Sequence, residues 1–227
     1  MVSARHRFLA TGAYDPITEA LAEFVALESP ELILDVGCGE GRHTGYLHAP
    51  LVLGVDVAKT AVAMAARTHD EGWYAVASAA DVPLDDAAAD MAISVFGPVV
   101  PEELARVVRR DGVVVALHPG PAHLASLRTL VYADPRPHEV KPPLRGVAEW
   151  FGEVGSVAIR FPIELHDLAL LDDLFTMTPY QWHAPHDIRD RLAAAALSGF
   201  ETSADVRMTT YRRTTAPPSP DRDRKRS

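Results

Sequence analysis

An apolar run, Glu31-Leu-Ile-Leu-Asp35, leads directly into Val36-Gly37-Cys38-Gly39-Glu40-Gly41. Glycines at alternate positions after a strand-like run leave few options. They suit neither a helix interior nor a strand interior, so the chain turns sharply where the strand ends. The missing side chains also let a ligand approach the backbone closely. A dinucleotide fingerprint reads G-x-G-x-x-G. Here the spacing is G-x-G-x-G, with Asp35 two residues before the first glycine. Alone, such a turn also fits an ordinary tight loop between strand and helix.

The surroundings repeat one pattern. Asp15 to Glu28 places Ile17, Leu21, Phe24, Val25 and Leu27 at helical spacing, opened by Asp15-Pro16. A helical stretch is expected from near Arg42. Leu51 to Val57 is a second strand, followed by an Ala-rich helix from Ala58 to about Arg67. Trp73 to Ser78 and Ala89 to Phe96 are further strands. Pro101 to Arg110 reads as a helix, and Asp111-Gly112 as the turn into a fifth strand, Val113 to Leu117. Strands alternating with helices predict an α/β fold: a mostly parallel sheet with helices on both faces.

The second half is less regular. Four prolines within residues 133–146 mark a loop. Strands are expected at Val154 to Leu165 and Glu201 to Arg213, and helices at Leu168 to Met177 and Pro185 to Leu197. The reading is one domain over residues 1–215, with residues 1–30 as an N-terminal helical lid and 216–227 as a disordered tail rich in Pro, Asp, Arg and Ser.

The shorter glycine spacing lacks the usual pyrophosphate cradle and suits S-adenosylmethionine, which carries no phosphate. Asp35 is then placed for the ammonium of the methionine part. Asp56, 19 residues after Gly37 at the end of the second strand, is placed for the ribose hydroxyls. Ser78-Ala-Ala-Asp81, after the third strand, would border the adenine. Ligands in open α/β sheets sit beyond the carboxyl ends of the strands, so Ser94-Val-Phe96-Gly-Pro98 would face the transferred methyl. There Phe96 stacks on a flat acceptor or belongs to the core, and Pro98 stiffens the loop.

Composition sets bounds. The 227 residues are 48% hydrophobic and 23% charged, a globular balance with room for a sizeable core. No run of 18 apolar residues exists to span a bilayer. The opening residues have no apolar signal-peptide core, and cytoplasmic placement is expected. Net charge is −9, the sign opposite to that of most nucleic-acid binders. Cys38 is the only cysteine, which excludes an intramolecular disulfide and a Cys-rich zinc site, so no metal is expected.

With these residues in hand, the chain resembles a class I S-adenosylmethionine methyltransferase with a Rossmann-like, seven-stranded sheet. More closely, it is similar to the large-subunit ribosomal RNA guanine-N1 methyltransferases, which include macrolide-producer resistance enzymes. The resemblance runs from about Ala4 to Arg213. Arg7-Phe-Leu-Ala-Thr-Gly-Ala-Tyr14-Asp-Pro16, Pro119-Gly-Pro-Ala-His-Leu124 and Met177-Thr-Pro-Tyr-Gln-Trp182 are its family-specific segments. It also covers Leu34 to Gly41, Gly54 to Lys59, Ser94 to Pro98 and Glu102 to Val108. Members of that family begin with a four-ligand zinc module, and here the chain starts where that module would end. The resemblance implies cofactor contacts at Tyr14, Asp35, Gly37, Gly39, Asp56, Val57, Ser78, Ala79 and Ser94. It implies acceptor positioning by Phe96, Pro98 and Trp182, with ribosomal RNA as partner.

Methyl transfer from an activated sulfonium needs alignment above all. Guanine N1 must also lose a proton. Asp81, Asp90, His118 and His123 are conceivable bases, and none is assigned. Tyr180 and Trp182 form an aromatic wall or pack into the core. Arg5, Arg7, Arg42, Arg106, Arg109 and Arg110 are the cations best placed for a phosphate backbone. His183 and His186 read as surface residues. The alternative acceptor is a small molecule of secondary metabolism, on the same scaffold.

Overall fold

A computed structural model describes residues 1–137, 139, 143, 144 and 150–214. Helices α1 (Val2–Leu9) and α2 (Asp15–Glu28) precede the sheet. Then come β1 (Leu32–Val36), β2 (Leu51–Asp56), α3 (Lys59–Thr68), β3 (Trp73–Val76), β4 (Ala89–Val95), α4 (Pro101–Val107) and β5 (Val108–Pro119). The second half holds α5 (Ala125–Val131), β6 (Phe151–Leu165), α6 (Leu168–Met177), α7 (Ile188–Ser198) and β7 (Phe200–Arg213). The expected tail falls outside the described residues.

The seven strands form one sheet in the order β3-β2-β1-β4-β5-β7-β6. Pairings from β3 to β5 are parallel, and β7 is antiparallel to both of its neighbours. The order reverses between β1 and β4, which opens a crevice beyond their carboxyl ends. Two apolar layers sandwich the sheet. One gathers Phe8, Ile17, Leu21, Leu127, Leu171 and Leu174 against Ile33, Met91 and Ile93. The other packs Leu104, Ala105 and Val107 against Leu34, Ala92 and Val114.

The structure differs from the sequence reading around Pro101 to Leu117 and after the glycine turn. The helix from Pro101 stops at Val107, and Asp111-Gly112 is not a turn between elements but part of an irregular stretch inside β5. Ala89 pairs with Val108 and Met91 with Val113, so the extra β5 residues bulge outward. Asp90 stabilises the bulge by accepting from Arg109 Nε at 2.5 Å. After the glycine turn, where a helical stretch was expected from near Arg42, the chain forms a 3₁₀ turn, Thr44–Tyr46.

Candidate active site

The glycine turn folds as its spacing demands: Gly37, Gly39 and Gly41 all have positive φ, at 79°, 58° and 80°. Gly39 N–H donates to Asp56 Oδ2 at 3.0 Å, and Ala58 N–H donates to Asp56 Oδ1 at 2.8 Å. The carboxylate thus ties the turn after β1 to the turn after β2. Beneath the turn, Asp35 is buried and accepts from the Thr44 hydroxyl at 2.5 Å, while its Oδ1 has no partner. Burial pushes Asp35 up to about 6, against the pull of the Thr44 hydroxyl and the Arg5 charge.

A cavity of about 820 Å³ opens above these strand ends. At one end it is lined by Arg5, Tyr14, Gly39, Glu40, His43 and Asp56; Ser94, Phe96 and His118 line its middle. Tyr132, Met177, Tyr180 and Trp182 close the far end. Phe96 stands at φ 54°, a costly conformation for a large side chain and one that recurs at functional sites. Its N–H donates to Leu117 O at 2.9 Å.

An aromatic cluster joins the lid helices to this bend. Tyr14 makes edge contacts with Phe8, Phe96, His123 and Phe161, at centroid distances of 5.7 to 6.5 Å. Its buried hydroxyl has no hydrogen-bond partner, and burial raises it well above the ordinary phenol range. Helix α1 is fixed by Arg7, which donates from Nε and Nη2 to Asp173 on α6 at 2.8 and 2.5 Å. Helix α2 reaches the glycine turn through Thr18, whose hydroxyl lies 2.9 Å from His43 Nδ1.

Of the residues singled out in the sequence, Tyr14, Gly39, Asp56, Ser94, Phe96 and Trp182 line the cavity together. Asp35, Gly37, Val57, Ser78, Ala79 and Pro98 are not among its lining residues. Gly37 packs under Pro98, while Ser78 bridges to Asp81 on the loop after β3. Trp182 is 70% exposed, so it belongs to the cavity mouth and not to the core, whereas Tyr180 is buried.

The base candidates separate. Asp90 sits at the opposite strand end, where Leu32 N–H donates to it at 2.8 Å, and Asp81 is outside the lining. His118 and His123 both line the cavity. Burial lowers His118, keeping its imidazole neutral, with Nε2 3.3 Å from the Thr209 hydroxyl. His123 accepts from Asp205 N–H at Nδ1 at 3.3 Å.

Most of the arginines singled out for a phosphate backbone have partners within the fold. Arg106 is buried and bonds Glu103, Asp86 and the carbonyls of Val82 and Leu84. Arg7, Arg42 and Arg109 pair with Asp173, Asp15 and Asp90. Arg5 turns into the cavity. The Arg110 side chain is 75% exposed, and those of Arg7 and Arg109 stay 60% and 50% exposed despite their partners.

Sequence reasoning passed over Glu40 and His43. Glu40 is 3% exposed in the cavity wall with both carboxylate oxygens lacking a hydrogen bond. An acidic residue between two glycines was a visible signal. His43 looked like any loop histidine, because its burial under α2 is a tertiary event.

Residues 34–116 match a family described as a methyltransferase domain. The chain is 34% identical over 205 residues to the 23S rRNA (guanine(748)-N(1))-methyltransferase of Streptomyces fradiae, covering 85% of this chain and 72% of that protein. Among solved structures it resembles the geranyl diphosphate C-methyltransferase of Streptomyces coelicolor A3(2), crystallised with S-adenosyl-L-homocysteine. The TM-score is 0.51 at 17% identity, covering 86% of this chain and 78% of that one. It also resembles the YcgJ protein of Bacillus subtilis, with a TM-score of 0.53 at 15% identity over 87% of this chain and 98% of that one. The last two likenesses concern the fold.

Proposed function

This chain belongs to the 23S rRNA (guanine-N1)-methyltransferase family and is an S-adenosylmethionine-dependent enzyme, and we propose that it methylates N1 of a guanine in large-subunit ribosomal RNA. The observation that carries the reading is the cavity, continuous from the glycine turn and Asp56 to an aromatic mouth. The buried oxygens of Glu40 at one end, which lack hydrogen bonds, fit a ligand with an ammonium group. When bound, the cofactor supplies an electrophilic methyl on a sulfonium.

Everything else falls to this chain's residues. Gly37 and Gly39 leave room for the cofactor, and Asp56 takes the ribose diol while still accepting from Gly39 N–H. Tyr14, Asp35 and Ser94 surround the methionine side. Val57, Ser78 and Ala79, on the loops past β2 and β3, serve the adenosine side. Phe96 and Trp182 present flat faces to the base, and Pro98 braces the turn that carries Phe96. The N1 proton leaves to solvent or to the neutral imidazole of His118. Residues 1–30 act as a lid on a single domain of residues 1–215, and a ribosomal substrate places the enzyme in the cytoplasm.

Labelled S-adenosylmethionine and 23S ribosomal RNA, with mass mapping of the product, test this. One methyl on guanine N1 is expected. No incorporation by protein that binds the cofactor would sink it. One observation favours a second reading, a small-molecule acceptor: net charge is −9, and Arg7, Arg42, Arg106 and Arg109 are held in ion pairs. Among the described residues no helix is long and apolar enough to cross a membrane.

A further inference from the structure

The glycine-turn end of the cavity holds more unsatisfied polar groups than its own residues can pair. Glu40 presents two buried oxygens without a hydrogen bond and Tyr14 a buried hydroxyl, and Asp35, beneath the turn and outside the lining, adds one more oxygen. Across them lies the cation of Arg5. Arg5 Nε stands 3.5 Å from Glu40 Oε1, an ion pair at a distance too long for a good hydrogen bond. Its guanidinium lies against the turn: a Cβ on Gly39 would be 3.8 Å from Arg5 Cζ. The same positive charge pulls Asp35 downward and His43 downward, so it sits central to the cluster.

A carboxylate buried with so little compensation is costly unless something completes its shell. The missing pieces are cation donors for Glu40 and an anion for Arg5. An α-amino-acid zwitterion has both. We infer that Arg5 holds the place of the cofactor's ammonium against Glu40 in the free chain, and takes the cofactor's α-carboxylate when that ammonium arrives. The charges then alternate: Arg5, carboxylate, ammonium, Glu40. Each of these four charges then has an opposite charge beside it. The Tyr14 hydroxyl, kept protonated by burial, is a further donor for the carboxylate.

The fold allows the exchange. Helix α1 is pinned through Arg7 to Asp173 and through the buried Phe8. The Arg5 side chain, 29% exposed, keeps a free stem on the cavity side of that helix. Only its head needs to turn.

The inference rests on the cofactor reading above and is independent of the acceptor. Its test therefore reads binding alone, by calorimetry with S-adenosylmethionine, decarboxylated S-adenosylmethionine and 5′-methylthioadenosine. The parent should prefer the first over the second by roughly tenfold or more, the size of a charge-assisted contact. Arg5→Gln should erase most of that preference and leave 5′-methylthioadenosine unchanged. Glu40→Gln should weaken both ammonium-bearing ligands by roughly tenfold and spare 5′-methylthioadenosine. Arg5→Lys should restore part of the preference. Equal weakening of all three ligands in Arg5→Gln, or an intact preference, would overturn the inference. If Arg5→Gln does not fold, Arg5→Lys and Glu40→Gln decide: parent-like binding of every ligand in both also overturns it. Absence of methyl in ribosomal RNA would leave these outcomes untouched and would count only against the acceptor.

Discussion

Gly37 and Pro98 meet where the turn after β1 crosses the turn after β4: a Cβ on Gly37 would stand 2.9 Å from Pro98 Cδ and 3.3 Å from Gly97 Cα. The two loops that face the cofactor and the acceptor are therefore in contact through a position with no side chain. Gly37→Ala meets two penalties. Its φ of 79° disfavours any Cβ by roughly 1–2 kcal/mol. Forcing Pro98 aside adds roughly 1–3 kcal/mol. Urea unfolding should show the summed loss, and cofactor affinity should fall with it. A variant as stable as the parent would mean the two turns do not touch.

Asp56→Ala removes two backbone hydrogen bonds and the acceptor proposed for the ribose. Charged hydrogen bonds are worth roughly 1.5–3 kcal/mol each, so the dissociation constant for S-adenosylmethionine should rise at least about tenfold. Asp56→Asn should fall between, because one oxygen remains to accept from backbone. Calorimetry checks both, and unchanged affinity would remove Asp56 from the site.

Arg106 and Glu103 form a buried pair at 2.5 Å beneath the loop after β3. Arg106→Met leaves Glu103 buried without that partner, which typically costs about 3–5 kcal/mol. Chemical denaturation should report a loss of that order. The salt dependence of RNA binding should not change, because this guanidinium does not reach solvent. A flattened salt slope would restore Arg106 to the RNA-facing group.

Two buried groups tilt stability with pH in opposite senses. Asp35 is pushed up to about 6 by burial, so its contribution to folding is full below its ordinary 3.8 and is lost as pH rises through about 6. His43 is pushed down to about 3 by burial, with the Arg5 and Arg42 charges acting the same way. Its contribution is full above its ordinary 6.5 and is lost as pH falls through about 3. Asp35→Asn should therefore be more stable than the parent at neutral pH without cofactor, by on the order of 3 kcal/mol or less, with the advantage vanishing near its ordinary value. His43→Gln should lose less stability than the parent on acidification. Urea midpoints at neutral pH and near pH 4 measure both, and an Asp35→Asn advantage that persists in acid would contradict the assignment.

Trp182 stands 70% exposed at the cavity mouth, so Trp182→Ala should leave the melting temperature and cofactor affinity near the parent's. Loss of one stacked ring, roughly 1 kcal/mol or more, should raise the acceptor's Michaelis constant about fivefold. Steady-state kinetics with RNA varied would show it. An unchanged constant would take Trp182 out of acceptor positioning.

The sheet was legible from residues 31–117 because each strand there is a short apolar run closed by a turn signal, and those signals are local. The end of α4 was not legible. Helical spacing continues through Arg110, but Arg109 is drawn away by Asp90, 19 positions earlier in the chain. The position of Asp56 at the end of β2 was legible in the sequence, yet its bonds to Gly39 and Ala58 were not.

The succession of strands and helices, the glycine turn, and the acidic residues at the ends of β1 and β2 are written in the chain's local pattern. These follow from periodicity and backbone freedom, which act over a few residues. Which charges are paired internally and which face the cavity follows from the packing of distant segments. Arg5 and Arg7 are two residues apart on one helix, yet Arg7 is committed to Asp173 and Arg5 to Glu40. The reason is that the partner of a charge is whatever the fold brings within a few ångströms. That distance carries no trace in the local pattern of the chain.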